Sequence, residues 1–442
     1  MLRRMRRLAI LLWVIAASAA PASPVLLISL DGLRPGDVIE ARARGMKLPR
    51  LAALMREGAY ATGVRGVVPT LTYPSHTTLV TGVAPAEHGI ANNLTFDPEQ
   101  KNQQGWYWYA SDIKVPTLWS VAHQRGIATA NVHWPVSVAA AGVDENLPQI
   151  WRTGTDDDRK LLAALATPGL LPPLEAALGP YAQGIDESVA GDATRVRFAA
   201  AMLRRFRPGF MTVYLAGIDH VEHQSGPGSV QANAAIERTD ALVGVLVDAA
   251  RAAMPDVTVA VVSDHGFAPV AHDVNLFAPF VRAGLITIGP DGKVAGWRAM
   301  PWLAGGTVAV RLADPVNAAL RAEVRGVLDA VARDPANGVD RVLDRDAIAS
   351  LGGPAEASFL VAFRPGFEGG KNPGAPVVSP STYRGMHGYL PDEPAMRSTL
   401  IVAGPSLARK GALGIVDMRS IAPSLGRILG VRSPAWTIPP SF

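Results

Sequence analysis

Six residues of metal-ligand type stand in four well-separated segments of this 442-residue sequence: Asp31 in SLDG, Asp219 and His223 in DHVEH, Asp264 and His265 in SDHGF, and His387 in GMHGY. Three carboxylates and three imidazoles form a mixed oxygen and nitrogen donor set of the kind that suits zinc. The spacing of four between Asp219 and His223 puts both on one face if the segment turns helically, so that both can reach one ion while His220 and Glu222 point elsewhere. A lone Asp or His at such a place is more often a strand-end or capping residue. The weight lies in several such motifs together.

The second chemical element is PTLTYPSHTTLVTG, where Thr72 sits in a Thr-Tyr-Pro-Ser turn and the segment Ser75 to Thr81 reads as the first turns of a helix. One reading is structural, with Thr72 or Ser75 capping that helix. The other is chemical. A helix N-terminus favours an anion, and a hydroxyl beside a metal ion loses its proton far more easily, which would make Thr72 a nucleophile.

These residues need a scaffold that brings distant segments together. Continuous apolar, β-branched runs occur at Val25 to Leu30, Phe210 to Leu215 and Val257 to Val262, as expected of strands buried on both faces. Helix-like stretches at Leu48 to Glu57, Thr117 to Arg125 and Gln231 to Ala253 alternate with them. The expected fold is α/β, a three-layer sandwich around a mostly parallel sheet, in which ligands sit outside the carboxyl ends of the strands. Asp31, Asp219 and Asp264 all fall just past such an end. From about 277 to 375 the texture changes, with GTVAVRL, a helix-like Pro315 to Arg333, ASFLVAF and a Gly/Pro-rich passage, and this is read as a small inserted α/β subdomain.

The first 22 residues combine a basic start, an apolar run of about a dozen residues and a small-residue zone, the layout of a secretory signal. The catalytic domain is then expected over 24–442, exported to the periplasm or secreted. The formal charge of +4 belongs to this leader: without Arg3, Arg4, Arg6 and Arg7 the chain has 38 basic and 38 acidic residues. That removes any case for a nucleic-acid-binding surface. No later stretch is long and apolar enough to span a bilayer. The absence of Cys excludes disulfides and thiolate chemistry.

SLDGLRP, PTLTYPSHTTLVTG, HGIANN, D-x-x-x-H, SDHGF and GMHGY together resemble, in order, the signature segments of the nucleotide pyrophosphatase/phosphodiesterase family within the alkaline phosphatase superfamily. The resemblance runs from about Val25 to Leu429. It implies two zinc ions per chain, one held by Asp219, His223 and His387, the other by Asp31, Asp264, His265 and the nucleophile Thr72. It also implies that Asn93 donates to a non-bridging phosphate oxygen and that Tyr73 stacks on the substrate. The alternatives are a turn-forming Asn-Asn pair and a core tyrosine. Trp134 and Trp151 are similar to tryptophans of the family but suit core packing, and His76, His88, His123, His133 and His272 are read as structural.

The activity this implies is zinc-dependent hydrolysis of phosphodiester or nucleotide pyrophosphate bonds in a small-molecule substrate, through a phosphothreonine at Thr72. Two zinc ions against three aspartates leave about one net positive charge, which matches a diester better than a dianionic monoester. Arg34, Arg65 and Arg384 stand closest in sequence to these motifs, and none is an evident phosphate partner. The rival readings are a phosphomonoesterase or phosphonate hydrolase on the same scaffold and, more remotely, a metal-stabilised binding ectodomain.

Overall fold

The structure is a computed structural model and describes residues 22–99, 101, 105–181, 186–370 and 376–442. The expected leader lies outside the described residues except for Ala22. Among the described residues no helix is long and apolar enough to cross a membrane.

Eight strands form the central sheet. In spatial order they are Gly411–Ala412, Ala59–Tyr60, Leu400–Ala403, Thr258–Val262, Val25–Leu30, Phe210–Leu215, Thr129–Val132 and Glu145–Leu147. The middle of the sheet is parallel: Val25–Leu30 pairs with Phe210–Leu215 on one side and Thr258–Val262 on the other. Leu400–Ala403 joins antiparallel, and so does its pairing with Ala59–Tyr60. Every residue of the three central strands is buried, which explains their unbroken apolar runs.

Side chains leave the sheet alternately towards two cores. Leu26, Ile28 and Leu30 join Met211, Val213, Val259 and Val261 beneath the helices Pro49–Glu57, Val189–Phe206 and Val230–Ala253. Val25 and Leu27 join Phe210, Ala260 and Val262 on the opposite face, under the helices Thr72–Thr81, Leu118–Gln124 and Ile421–Leu429. Helices on both faces of a largely parallel sheet make the expected three layers. Truncating one central residue such as Ile28 to Ala would cost about 2–5 kcal/mol.

The segment with altered texture carries a separate antiparallel sheet, in the order Ala299–Ala304, Thr307–Leu312, Phe359–Phe363, Val339–Asp344, with the helix Ala318–Ala332 beside it. Its apolar residues, among them Val308, Val310, Leu320, Val324 and Phe359, form a third cluster.

Candidate metal centre and nucleophile

Parallel pairing of three adjacent strands puts their carboxyl ends side by side, so the residues that follow converge although they are about 190 and 45 positions apart in the chain. Asp31 directly follows Leu30, and its backbone N–H extends the ladder to Leu215 O at 3.0 Å. Gly32 then turns with φ +74°, a conformation that a side chain rarely adopts, and donates its N–H to Asp264 Oδ1 at 3.2 Å. A Cβ there would meet Phe267 at 2.9 Å.

Asp219 and His223 lie on the helix Gly217–Ser225, as the spacing predicts. Its start is held from outside: Asp192 accepts from Ala216 N–H at 3.0 Å and from Gly217 N–H at 2.8 Å, while Arg195 Nη1 donates to the same carboxylate at 2.8 Å. Gly217 must be glycine for this approach, because a Cβ would stand 2.7 Å from Asp192 Oδ2. His220 turns away to meet Gln224 at 3.0 Å. Glu222 turns inward, where neither carboxylate oxygen has a hydrogen-bond partner and burial pushes its pKa up to about 8.

Two donor groups emerge. Asp219, His223 and His387 offer atoms within 4.8 Å of one another, and so do Asp31, Asp219 and His265. Asp264 joins the second group, its Oδ2 3.1 Å from His265 Nε2, with Asp31 Oδ1 3.3 Å from the same nitrogen. Asp219 therefore stands between the two groups, 3.5 Å from His223 Nε2 and 3.6 Å from His387 Nε2.

The donor chemistry fits divalent cations. Each of the three histidines donates Nδ1–H to a backbone carbonyl: His223 to Gly385 at 3.0 Å, His265 to Gly266 at 3.2 Å and His387 to Thr70 at 3.2 Å. That leaves every Nε2 lone pair facing the cluster. Asp31 Oδ1, Asp219 Oδ1 and Asp264 Oδ2 are buried without hydrogen-bond partners, a costly arrangement unless a cation meets them. Burial raises Asp31 and Asp219 well above the ordinary carboxylate range, and the neighbouring carboxylates raise both further. Burial likewise depresses His265 and His387.

Thr72 is the first residue of the helix Thr72–Thr81, which begins three residues earlier than expected. The capping reading is thereby overturned: the N-cap is Leu71 and no side chain caps the turn. The Thr72 hydroxyl, which makes no cap, instead meets His265 Nε2 at 3.4 Å. Behind it, His76 donates Nδ1–H to Thr72 O at 2.8 Å and accepts from Ser29 Oγ at 2.8 Å. Asn93 is brought alongside through its Oδ1, which accepts from Tyr73 N–H at 2.9 Å, so its NH2 is the free end.

Tyr73 corrects an expectation. It is 1% exposed and its ring packs on Trp106 and Trp108 at 5.3 and 6.1 Å, with its hydroxyl donating to Gln149 at 2.9 Å. Trp151 closes the same aromatic cluster, 4.4 Å from Trp108, and Trp134 is fully buried. Burial leaves no face of Tyr73 for a ligand. The core alternative holds.

Two residues that sequence reasoning passed over act on the carboxylates of the site. Tyr214 donates its hydroxyl to Asp31 Oδ2, a contact set by the strand register that pairs Tyr214 with Ser29. Glu187 is the charge that acts most strongly on Asp219 after burial itself, and its own carboxyl is pushed up to about 7 by burial. Glu187 sits near no ligand motif in the sequence, and Tyr214, although five residues before Asp219, meets Asp31 from a segment 183 residues away. Arg34, by contrast, is tied to Asp37 by two 2.8 Å bonds.

Fold and centre together define an alkaline-phosphatase-like α/β architecture with a metal-capable site at the carboxyl end of its sheet. The chain belongs to the type I phosphodiesterase / nucleotide pyrophosphatase family, whose profile matches residues 25–390. It is 28% identical over 234 residues to human ectonucleotide pyrophosphatase/phosphodiesterase family member 1, which covers 51% of this chain and 21% of that protein. With venom phosphodiesterase CdcPDE of Crotalus durissus collilineatus it shares 24% identity over 261 residues, covering 57% of this chain and 27% of the other. The chain thus matches about a quarter of the length of these relatives. Among solved structures, human ectonucleotide pyrophosphatase/phosphodiesterase 5 superposes with a TM-score of 0.66 at 17% identity, covering 92% of this chain and 95% of that one. The murine counterpart, solved as an inactive threonine-to-alanine form in complex with AMP, gives 0.65 at 17% identity over 93% and 96%.

Proposed function

We propose that this chain hydrolyses phosphodiester or nucleotide pyrophosphate bonds of small molecules, with Thr72 as nucleophile. The observation that carries the proposal is the uncapped Thr72 hydroxyl 3.4 Å from His265 Nε2, at the edge of a donor cluster with three orphaned carboxylate oxygens. The named activities of the relatives and the AMP complex of the murine protein support it.

Two zinc ions would be held by Asp219, His223 and His387 and by Asp31, Asp264, His265 and Thr72. Bound there, they supply positive charge to the phosphate and favour the ionised form of the threonine hydroxyl. The chain's own part is positional. Thr72 attacks phosphorus in line, the Asn93 NH2 donates to a non-bridging oxygen, and water then releases the phosphothreonine. Two displacements retain configuration at phosphorus. The segment 277–375 acts as an inserted subdomain that walls the cleft, and the leader directs export.

A diester suits the centre better than a monoester. After burial, the charges that act most strongly on Asp31, Asp219 and Asp264 are other carboxylates and His76, with no arginine or lysine among them. A second negative charge on the substrate would find no arginine or lysine side chain among these groups. Matched 4-nitrophenyl esters test this: the methyl diester should exceed the monoester in kcat/KM, and the reverse order overturns the diester assignment.

A further inference from the structure

We infer that the groove between the segment 38–48 and the helix Pro49–Glu57 binds a free single-chain amphiphile with an anionic head group. The groove lies on the sheet face opposite the helix Thr72–Thr81 and shares no residue with the metal centre. The inference is therefore independent of the phosphodiesterase reading.

A cavity of about 830 Å³ lies there, within the range of small-ligand sites. Its trough follows from the helix. Leu51 and Leu54 are buried in the core, and the neighbouring helical face presents Ala52, Met55 and Arg56 to the cavity. Ala52 ends at its Cβ, which leaves room opposite Val38, Ala41 and Met46. Ile39 lines the same space and is 42% exposed.

Both walls are fixed by contacts of their own. Asp37 holds the first by accepting from Arg34 at 2.8 Å and from Arg44, and Met46 N–H donates to Ala41 O at 2.8 Å. Lys47 N–H donates to Glu237 at 2.7 Å, and Asp240 accepts from Arg50 N–H and Leu51 N–H at 3.1 and 2.8 Å. A groove held open by its scaffold binds without the cost of ordering its walls.

Charge selects the head group. Arg42, Lys47 and Arg56 line the groove, and no acidic residue stands among the described lining. None of the three has an ion-pair partner among the described residues, whereas the neighbouring arginines are engaged: Arg44 with Asp37, Arg50 with Asp248 and Arg251 with Glu57. The apolar lining is aliphatic and thioether apart from Tyr60, and the two methionines adapt to a flexible chain.

Two other occupants fit less well. The leader carries Arg3, Arg4, Arg6 and Arg7 and would bring like charge to the cationic rim. A bilayer surface takes up apolar side chains that project, yet Val38, Ala41, Met46 and Leu48 are at most 7% exposed. Recessed walls suit a chain that enters them.

Calorimetric titration of the protein with dodecanoate below its micelle concentration tests this. Dodecanoate should occupy one site per chain, and across octanoate, decanoate and dodecanoate affinity should rise about fourfold per methylene. Dodecyltrimethylammonium and dodecyl maltoside should bind at least about tenfold more weakly. The triple variant Arg42→Gln, Lys47→Gln, Arg56→Gln changes three exposed positions and should lower dodecanoate affinity about tenfold. Ala52→Leu, which fills the trough, should lower it at least as much. Each variant is checked for an intact melting transition, and should Ala52→Leu fail to fold, the triple variant decides. No binding of dodecanoate, no dependence on chain length, equal affinity for the three head groups, or unchanged affinity in the triple variant overturns the inference. Co-sedimentation with phosphatidylglycerol vesicles that is lost in the triple variant, without binding of monomeric dodecanoate, overturns it in favour of a membrane-facing surface.

Discussion

The backbone N–H of Tyr73 donates to Asn93 Oδ1 at 2.9 Å, fixing the residue after the nucleophile to a loop 20 residues further on, beyond the next helix. Because the oxygen is engaged, only the NH2 of Asn93 is available to a phosphate. Asn93→Asp keeps the acceptor and loses the donor, so it should cut kcat by about 10²–10³, the scale of one oxyanion donor. Steady-state kinetics decide it: an Asp variant with near-normal kcat would show that the amide serves only the turn.

Thr72→Ala should lower turnover by several orders of magnitude and leave the melting temperature nearly unchanged, since the hydroxyl makes no capping bond. Thr72→Ser should keep part of the rate. Phosphothreonine trapped by acid quench and located by mass spectrometry would identify the intermediate. Normal turnover by the Ala variant would instead require direct attack by water.

Metal content should be about two zinc ions per chain, because six donors are arranged around two centres that share Asp219. His387→Ala should release about one ion, read by elemental analysis. Chelation should also lower the melting temperature, because it leaves buried carboxylates facing one another. A chelated protein with unchanged melting behaviour and activity would contradict the metal assignment.

His88 gives the stability a pH dependence. It is buried, accepts from Ile90 N–H at 3.1 Å through Nδ1 and lies 3.1 Å from Thr78 Oγ1 through Nε2, and burial lowers its pKa to about 3. The unfolded chain takes up a proton near pH 6.5 that the folded chain refuses. Its contribution is therefore complete above about pH 6.5 and is lost towards pH 3, by at most about 1.4 kcal/mol per pH unit. His88→Gln should be less stable at neutral pH yet show a shallower decline between pH 6.5 and 4.5 in denaturant titrations. A parallel decline in both proteins would assign the acid limb to other groups.

Local pattern was enough to read the strand-end positions of Asp31 and Asp264 and the shared helical face of Asp219 and His223. Strand burial and helical spacing are properties of a few consecutive residues, so composition and periodicity carry them. The three layers followed from the same runs, because strands apolar on both faces need helices on both sides. Other features required the assembled chain. The helix begins at Thr72 rather than near Ser75 because its first turn is fixed by contacts with Asn93 and the core, not by a local cap. Tyr73 lies in the core because Trp106 and Trp108, themselves packed by Trp151, converge on it from later segments. Tyr214 meets Asp31 through strand register, and Phe96 meets Trp302 across a separation of 206 residues. Ligand types and their local spacing are written in short motifs. Sheet order and packing decide which side chains face the phosphate, because those contacts join segments whose separation no local pattern encodes.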